Sequence, residues 1–203
     1  MTHILQINSS LHGATAQSSR LASEFVAALR ESDRAATAVS LTVRDLATQP
    51  VPHLTAERFQ ALSTPAAERT LEQQRVVAQS DELVDELKRA DVIVLGLPMY
   101  NFGVPSTLKA YFDHVARAGV TFRYTASGPE GLLKGKKAYV FATRGGRYAG
   151  TPSDLQTAYV RQFLGFIGIG DVEFVYAEGL ALGAEQRSAA VAEALSRINQ
   201  LAA

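Results

Sequence analysis

Three short runs in this sequence carry groups suited to chemistry, and none of them suits acid–base catalysis. The first is Ser9-Ser10, continued after a short loop by Ala16-Gln17-Ser18. The second is Met99-Tyr100-Asn101-Phe102, and the third is Thr143-Arg144-Gly145-Gly146. Serine hydroxyls and a glutamine amide at the start of a helix donate hydrogen bonds to an anion. The helix adds its own free N–H groups and the positive end of its dipole. A thioether, a phenol, a carboxamide and a phenyl in succession can cradle a large planar ligand with polar edges. Two adjacent glycines let the backbone approach such a ligand and offer N–H groups to its carbonyl oxygens. The chemistry on offer is the binding of an elongated molecule with an anionic tail and a flat head.

Each run also has a plainer reading. Ser18 or a neighbour can simply cap a helix, the Met-Tyr-Asn-Phe tetrad can be a hydrophobic plug, and Gly145-Gly146 can be an ordinary turn. Asn101 argues against the plug, because a buried carboxamide must find several partners. The triphosphate signature G-x-x-x-x-G-K-[ST] is absent, and the first turn has no G-x-G-x-x-G. Gly165, Gly168 and Gly170 leave a helix for a strand, the reverse of the dinucleotide order. A phosphate held by hydroxyls and amides alone fits a monophosphate, and flavin mononucleotide has the required shape.

Composition removes other classes. With Lys+Arg and Asp+Glu both at 20, the 203-residue chain has no basic excess for nucleic acid. There is no cysteine, hence no disulfide, thiolate nucleophile or cysteine–metal site. His3, His12, His53 and His114 show no ligand spacing, so no metal is expected. His12 is expected in solvent, and His114 at the surface or an interface. Lys134, Lys136 and Lys137 are expected on a solvated edge. The N-terminus has no basic region before its apolar residues, so a cytoplasmic protein without a membrane partner is expected.

The elements that must position these runs follow from periodicity. Short apolar strands are expected at 4–7, 38–43, 92–97, 136–143 and 172–177. Pro98 ends the third, having no N–H for a ladder. Helices are expected from about 17, at 66–89 with Val76, Leu83, Val84 and Leu87 inward, after Pro105, at 155–167 capped by Thr151 or Ser153, and at 184–201. Residues 50–65 hold three prolines and no clear period, so 50–89 reads as a long insertion between strands two and three. Residues 119–135 read as irregular, although Phe122 and Tyr124 alternate like a short β segment. The result is one α/β domain over 1–203, a five-stranded parallel sheet of order 2-1-3-4-5 covered on both faces. In that order the ends of strands one, three and four open on one rim, where ligands bind.

The chain resembles the bacterial FMN-dependent NADH:azo-compound oxidoreductases (azoreductases), also described as FMN-dependent NADH:quinone oxidoreductases. The resemblance spans essentially the whole chain. It is carried by Asn8-Ser9-Ser10, Gln17-Ser18, PMYNF at 98–102, YFDHVARAGVTFRYT at 111–125, GPEGLLKGKKA at 128–138, TRGG at 143–146 and FLGFIGI at 163–169. It implies a flavodoxin-like fold, a homodimer with FMN sites near the interface, and NADH or NADPH as donor. It implies that Ser10, Gln17 and Ser18 hold the phosphate. Ala16 stands where the family often has serine, so its amide must serve instead. It implies that Met99, Tyr100, Asn101, Phe102, Thr143, Arg144, Gly145 and Gly146 surround the flavin ring. Asn101, Tyr124 and Phe166 would line the substrate side. The activity implied is two-electron ping-pong hydride transfer to azo compounds and quinones, with FMN carrying the chemistry and no protein acid or base. The competing class is a non-enzymatic flavodoxin-type electron carrier or FMN-binding regulatory module.

Overall fold

The computed structural model describes residues 1–32 and 38–203. Five parallel strands form the central sheet: β1 (Thr2–Asn8), β2 (Val39–Asp45), β3 (Val92–Pro98), β6 (Lys137–Thr143) and β7 (Asp171–Ala177). Their order is β2-β1-β3-β6-β7. The numbering departs from 2-1-3-4-5 because two further strands lie in the region expected to be irregular. These are β4 (Phe122–Thr125) and β5 (Gly128–Gly131), an antiparallel hairpin outside the main sheet.

Alternation along the strands sends apolar side chains to both faces. Leu5, Ile7, Ile93, Leu95 and Leu97 meet α3 (Leu71–Arg89), α4 (Ser106–Val115) and α5 (Leu155–Ile167) in one core layer. Ile4, Val94 and Phe141 meet α1 (Gln17–Ser32) and α6 (Ala184–Ala202) in the other. Gly96 belongs to this second face, and there α1 comes closest to the sheet. A Cβ at Gly96 would lie 3.1 Å from the backbone carbonyl of Ser18.

The long segment before β3 is built differently from its expected form. A helix α2 (Ala56–Ser63), capped by Thr55, occupies the proline-punctuated stretch. It turns only twice and buries only Ala61, so it leaves no apolar stripe to read. The next helix begins at Leu71 rather than 66, because Thr70 and Gln73 form a reciprocal capping box. Along it Leu83, Val84 and Leu87 are buried as expected, while Val77 takes the buried place expected of Val76, which is half-buried. Asp154, not Thr151 or Ser153, caps α5 by accepting from the Thr157 N–H. Lys136 is no free edge lysine: its ammonium donates to the Lys88 and Ala90 carbonyls at the end of α3. His114, expected at a surface or interface, is fully buried on α4. Burial there pushes its imidazole pKa down.

The hairpin is fixed to the far end of α5. The Leu133 N–H donates to the Ile167 carbonyl, and Gly168 ends the helix with φ +107°. Gly131 lies so close that a Cβ on it would come within 2.1 Å of the Gly168 nitrogen. Gly131→Ala is therefore expected to lower stability by about 1–3 kcal/mol through backbone displacement. An unchanged urea midpoint would show that the hairpin is not held this way.

Candidate functional site

The carboxyl ends of β1, β3 and β6 carry the three runs to one rim, and direct contacts join them. The Ser10 hydroxyl and the Tyr100 hydroxyl are 3.0 Å apart, linking the first loop to the second. The Met99 N–H donates to the Thr143 carbonyl at 3.0 Å, linking the second to the third. The Phe102 ring stands edge-on to Tyr148, with centroids 5.7 Å apart. Tyr148 in turn lies over Gly146, where an added Cβ would meet its hydroxyl at 2.7 Å. Glycine at 146 therefore makes room for a neighbouring aromatic as well as for close backbone approach.

At the first loop α1 starts at Gln17, directly over the end of β3. The N–H groups of Gln17, Ser18 and Ser19 meet no protein acceptor among the described residues. Ser18 and Ser19 are both fully buried, and neither hydroxyl has a partner among the described residues. Buried polar atoms of this kind are rare and call for an explanation. Ser10 is buried, Ala16 and Gln17 are half-buried, and His12 is exposed. Ser19 was not among the expected residues. Its place beside Ser18 on the first turn of α1 was the available signal.

The second loop differs from a buried plug and from a buried carboxamide. Asn101 and Phe102 are both exposed, and Met99 and Tyr100 are half-buried. Tyr100 and Gly103 exchange reciprocal backbone hydrogen bonds at 3.2 and 3.0 Å. Between them Asn101 and Phe102 have φ of 49° and 65°. This is a type I′ turn, which calls for two left-handed residues and favours Asn followed by Gly. Asn101 meets the preference; a phenylalanine in the glycine position costs about 1–2 kcal/mol. Strain of this kind gathers at functional sites.

In the third loop the Arg144 side chain turns away from the rim, contrary to the expectation that it would border the ligand. It is buried, pairing with Asp154 at 2.8 Å and Glu178 at 3.0 Å. Glu178 also accepts from the Tyr148 and Ala149 N–H groups. Burial alone would raise the Asp154 carboxyl, but bonds from Arg144 and from the Thr157 amide and hydroxyl hold it below the usual range. Arg144 thus fixes the loop that displays Gly145 and Gly146, while Thr143 ends β6 as a buried neighbour.

Tyr124 and Phe166 are not gathered at this rim. Helix α5 starts beside Pro98, where Gln156 reaches the Pro98 carbonyl, and runs away from it. The ten residues from Gln156 to Phe166 span about 15 Å. Phe166 packs on Phe122 of the hairpin at 4.3 Å between centroids, and Tyr124 beside them is 76% exposed. They share that end with a groove of about 430 Å³ lined by Phe59, Leu62, Arg117 and Tyr124. A second cleft, of about 550 Å³, adjoins the Asn101–Phe102 turn and includes His53, Lys109, Leu155 and Tyr159. Among the described residues no group of acidic or histidine side chains could hold a metal ion, and no helix is long and apolar enough to cross a membrane.

A family model for the flavodoxin-like fold matches residues 2–202. An FMN-dependent NADH:quinone oxidoreductase of Burkholderia pseudomallei is 57% identical over 198 residues, 98% of each chain. One of Cellvibrio japonicus is 54% identical over 200 residues, again 98% of each. Among solved structures, an FMN-dependent NADH-azoreductase of Bacillus anthracis in complex with FMN matches with a TM-score of 0.87. It is 28% identical and covers 100% of both chains.

Two outcomes follow from the site's geometry. Phe102→Gly should raise stability by about 1 kcal/mol by removing the left-handed penalty; a lower melting temperature would contradict the turn assignment. Arg144→Met should cost about 2–3 kcal/mol in urea unfolding, since it leaves two half-buried carboxylates without their cation. Because Asp154 titrates below its unfolded value, its contribution is full above about pH 4 and fades as pH falls through the folded value. Arg144→Met should therefore shrink the acid loss of stability, and an unchanged acid limb would refute the pairing.

Proposed function

This chain belongs to the flavodoxin-like family whose model spans residues 2–202, and from that premise we propose that it is an FMN-dependent NADH oxidoreductase of quinones and azo compounds. The observation that carries the reading is the stitched rim: Ser10 joined to Tyr100, and Met99 to Thr143. These residues suit the cofactor. The unpartnered hydroxyl of Ser18 and the free N–H groups of residues 17–19 suit a phosphate. The exposed Asn101–Phe102 turn and Gly145 suit a flat ring with polar edges.

In this reading Ser10, Gln17 and Ser18 hold the phosphate, with the Ala16 amide standing in for a hydroxyl. Met99, Tyr100, Asn101 and Phe102 flank one side of the ring, and the Gly145–Gly146 backbone approaches its edge. Arg144 positions that backbone from below. Bound FMN supplies hydride acceptance and release, so no side chain has to act as acid or base. Asn101 and Phe102 shape a slot that the nicotinamide donor and the quinone or azo acceptor occupy in turn, which gives ping-pong kinetics.

Tyr124 and Phe166 serve the substrate side only if a second copy brings them, because within one chain they lie at the other end of α5. A homodimer is accordingly part of the proposal. It is supported by the exposed aromatics Phe59 and Tyr124 on one groove. The competing reading, an electron carrier, calls for a strongly acidic docking face. A chain with equal numbers of acidic and basic residues gives it little support.

The test is spectroscopic. The purified protein should be yellow, bleach with NADH alone in the absence of air, and recover its colour on adding menadione or methyl red. Bleaching that needs a separate reductase would favour the carrier, and a colourless protein that takes up no FMN would end both readings.

A further inference from the structure

Gln156 is the second residue of α5 and is 1% exposed. Its side-chain amide donates to two backbone carbonyls, Pro98 at 2.9 Å and Gly103 at 3.0 Å. Those carbonyls stand on either side of the Tyr100–Gly103 turn, whose central residues Asn101 and Phe102 have φ of 49° and 65°. One NH2 group has two protons, and here each is given to one end of the same strained loop.

The remaining atom makes the arrangement informative. The Gln156 carbonyl oxygen is buried and has no partner among the described residues. An apolar residue of similar length would fill this space without an unsatisfied acceptor, so packing alone does not account for the glutamine. What an apolar residue cannot do is tie the Pro98 and Gly103 carbonyls together. The same first turn of α5 holds the third loop, since Asp154 and Thr157 both accept from Arg144. One helix end therefore grips both loops that border the rim.

We propose that Gln156 is a positioning residue that staples the 98–103 loop and sets the Asn101–Phe102 turn against the flavin ring. The proposal rests on the flavin reading given above. Gln156 touches neither cofactor nor substrate in it; it acts through the turn.

The test uses the full chain and a Gln156→Met variant, each freed of flavin and titrated with FMN. The variant should still fold, with a modestly lower flavin-free melting temperature, because the Pro98 and Gly103 carbonyls lose a donor while the unsatisfied glutamine oxygen is removed. Its FMN dissociation constant should rise about tenfold, and the visible circular dichroism of bound flavin should change. Riboflavin, which lacks the phosphate, should weaken by the same factor, because the lesion is on the ring side. A variant with parental affinity and an unchanged flavin spectrum would overturn the proposal, as would a loss confined to FMN.

A second measurement needs no variant. In the parent protein the Gln156 side-chain amide protons should exchange slowly with solvent, and NMR should detect scalar coupling across hydrogen bonds to the Pro98 and Gly103 carbonyls. Fast exchange without that coupling would overturn the staple even if Gln156→Met failed to fold. If the parent bound no FMN, the flavin reading would fall, and the exchange measurement would still decide the staple.

Discussion

The close contact between Gly96 on β3 and the first turn of α1 is the constraint on which the rest of the site depends. With no side chain at 96, the Ser18 carbonyl and the Ser19 nitrogen sit where a Cβ would be 3.1 and 3.2 Å away. Ser9 reinforces the seam, both its N–H and its hydroxyl donating to the Gly96 carbonyl. The effect is to place the positive end of a sixteen-residue helix at the centre of the sheet's rim. β1 and β3 lie side by side there while their helices pass to opposite faces, the place where open α/β sheets hold ligands.

From that fixed point the other two loops are held by different means. The 98–103 loop is a type I′ turn with phenylalanine in a glycine position, a choice that works against the backbone. The Phe102 ring stands exposed and edge-on to Tyr148. The 143–146 loop owes its shape to a charge cluster, buried Arg144 between half-buried Asp154 and Glu178, with Glu178 also gathering two backbone N–H groups. Such a cluster is weak evidence of added stability. Its geometry, with fixed directions from a planar guanidinium, suits the setting of a loop. Binding surface and supporting surface thus divide cleanly: exposed backbone and aromatics above, buried ions and amides below.

Much of this was legible in the sequence because it rests on local signals. The apolar strands, Pro98 at the end of β3, Pro105 before α4 and Gly168 after α5 each mark a boundary through their own chemistry. What was not legible depends on long-range partners. Arg144 reads as a rim residue until Asp154 and Glu178 are found beneath it. Asn101 reads as a buried amide until the two left-handed residues expose it. Gln156 carries no local signal, since its two acceptors lie more than fifty positions away. Helix α2 is too short to show a period, and Tyr124 and Phe166 show their distance from the rim only once α5 is seen to run from it.

The central claim is that the α1 N-terminus anchors a phosphate while the other loops hold a ring. It is tested most directly by comparing FMN with riboflavin, ligands identical but for that phosphate, in a fluorescence titration of the flavin-free protein. The account predicts that FMN binds at least about 100-fold more tightly, as charge-assisted bonds to several donors require. Equal affinity for the two would contradict it.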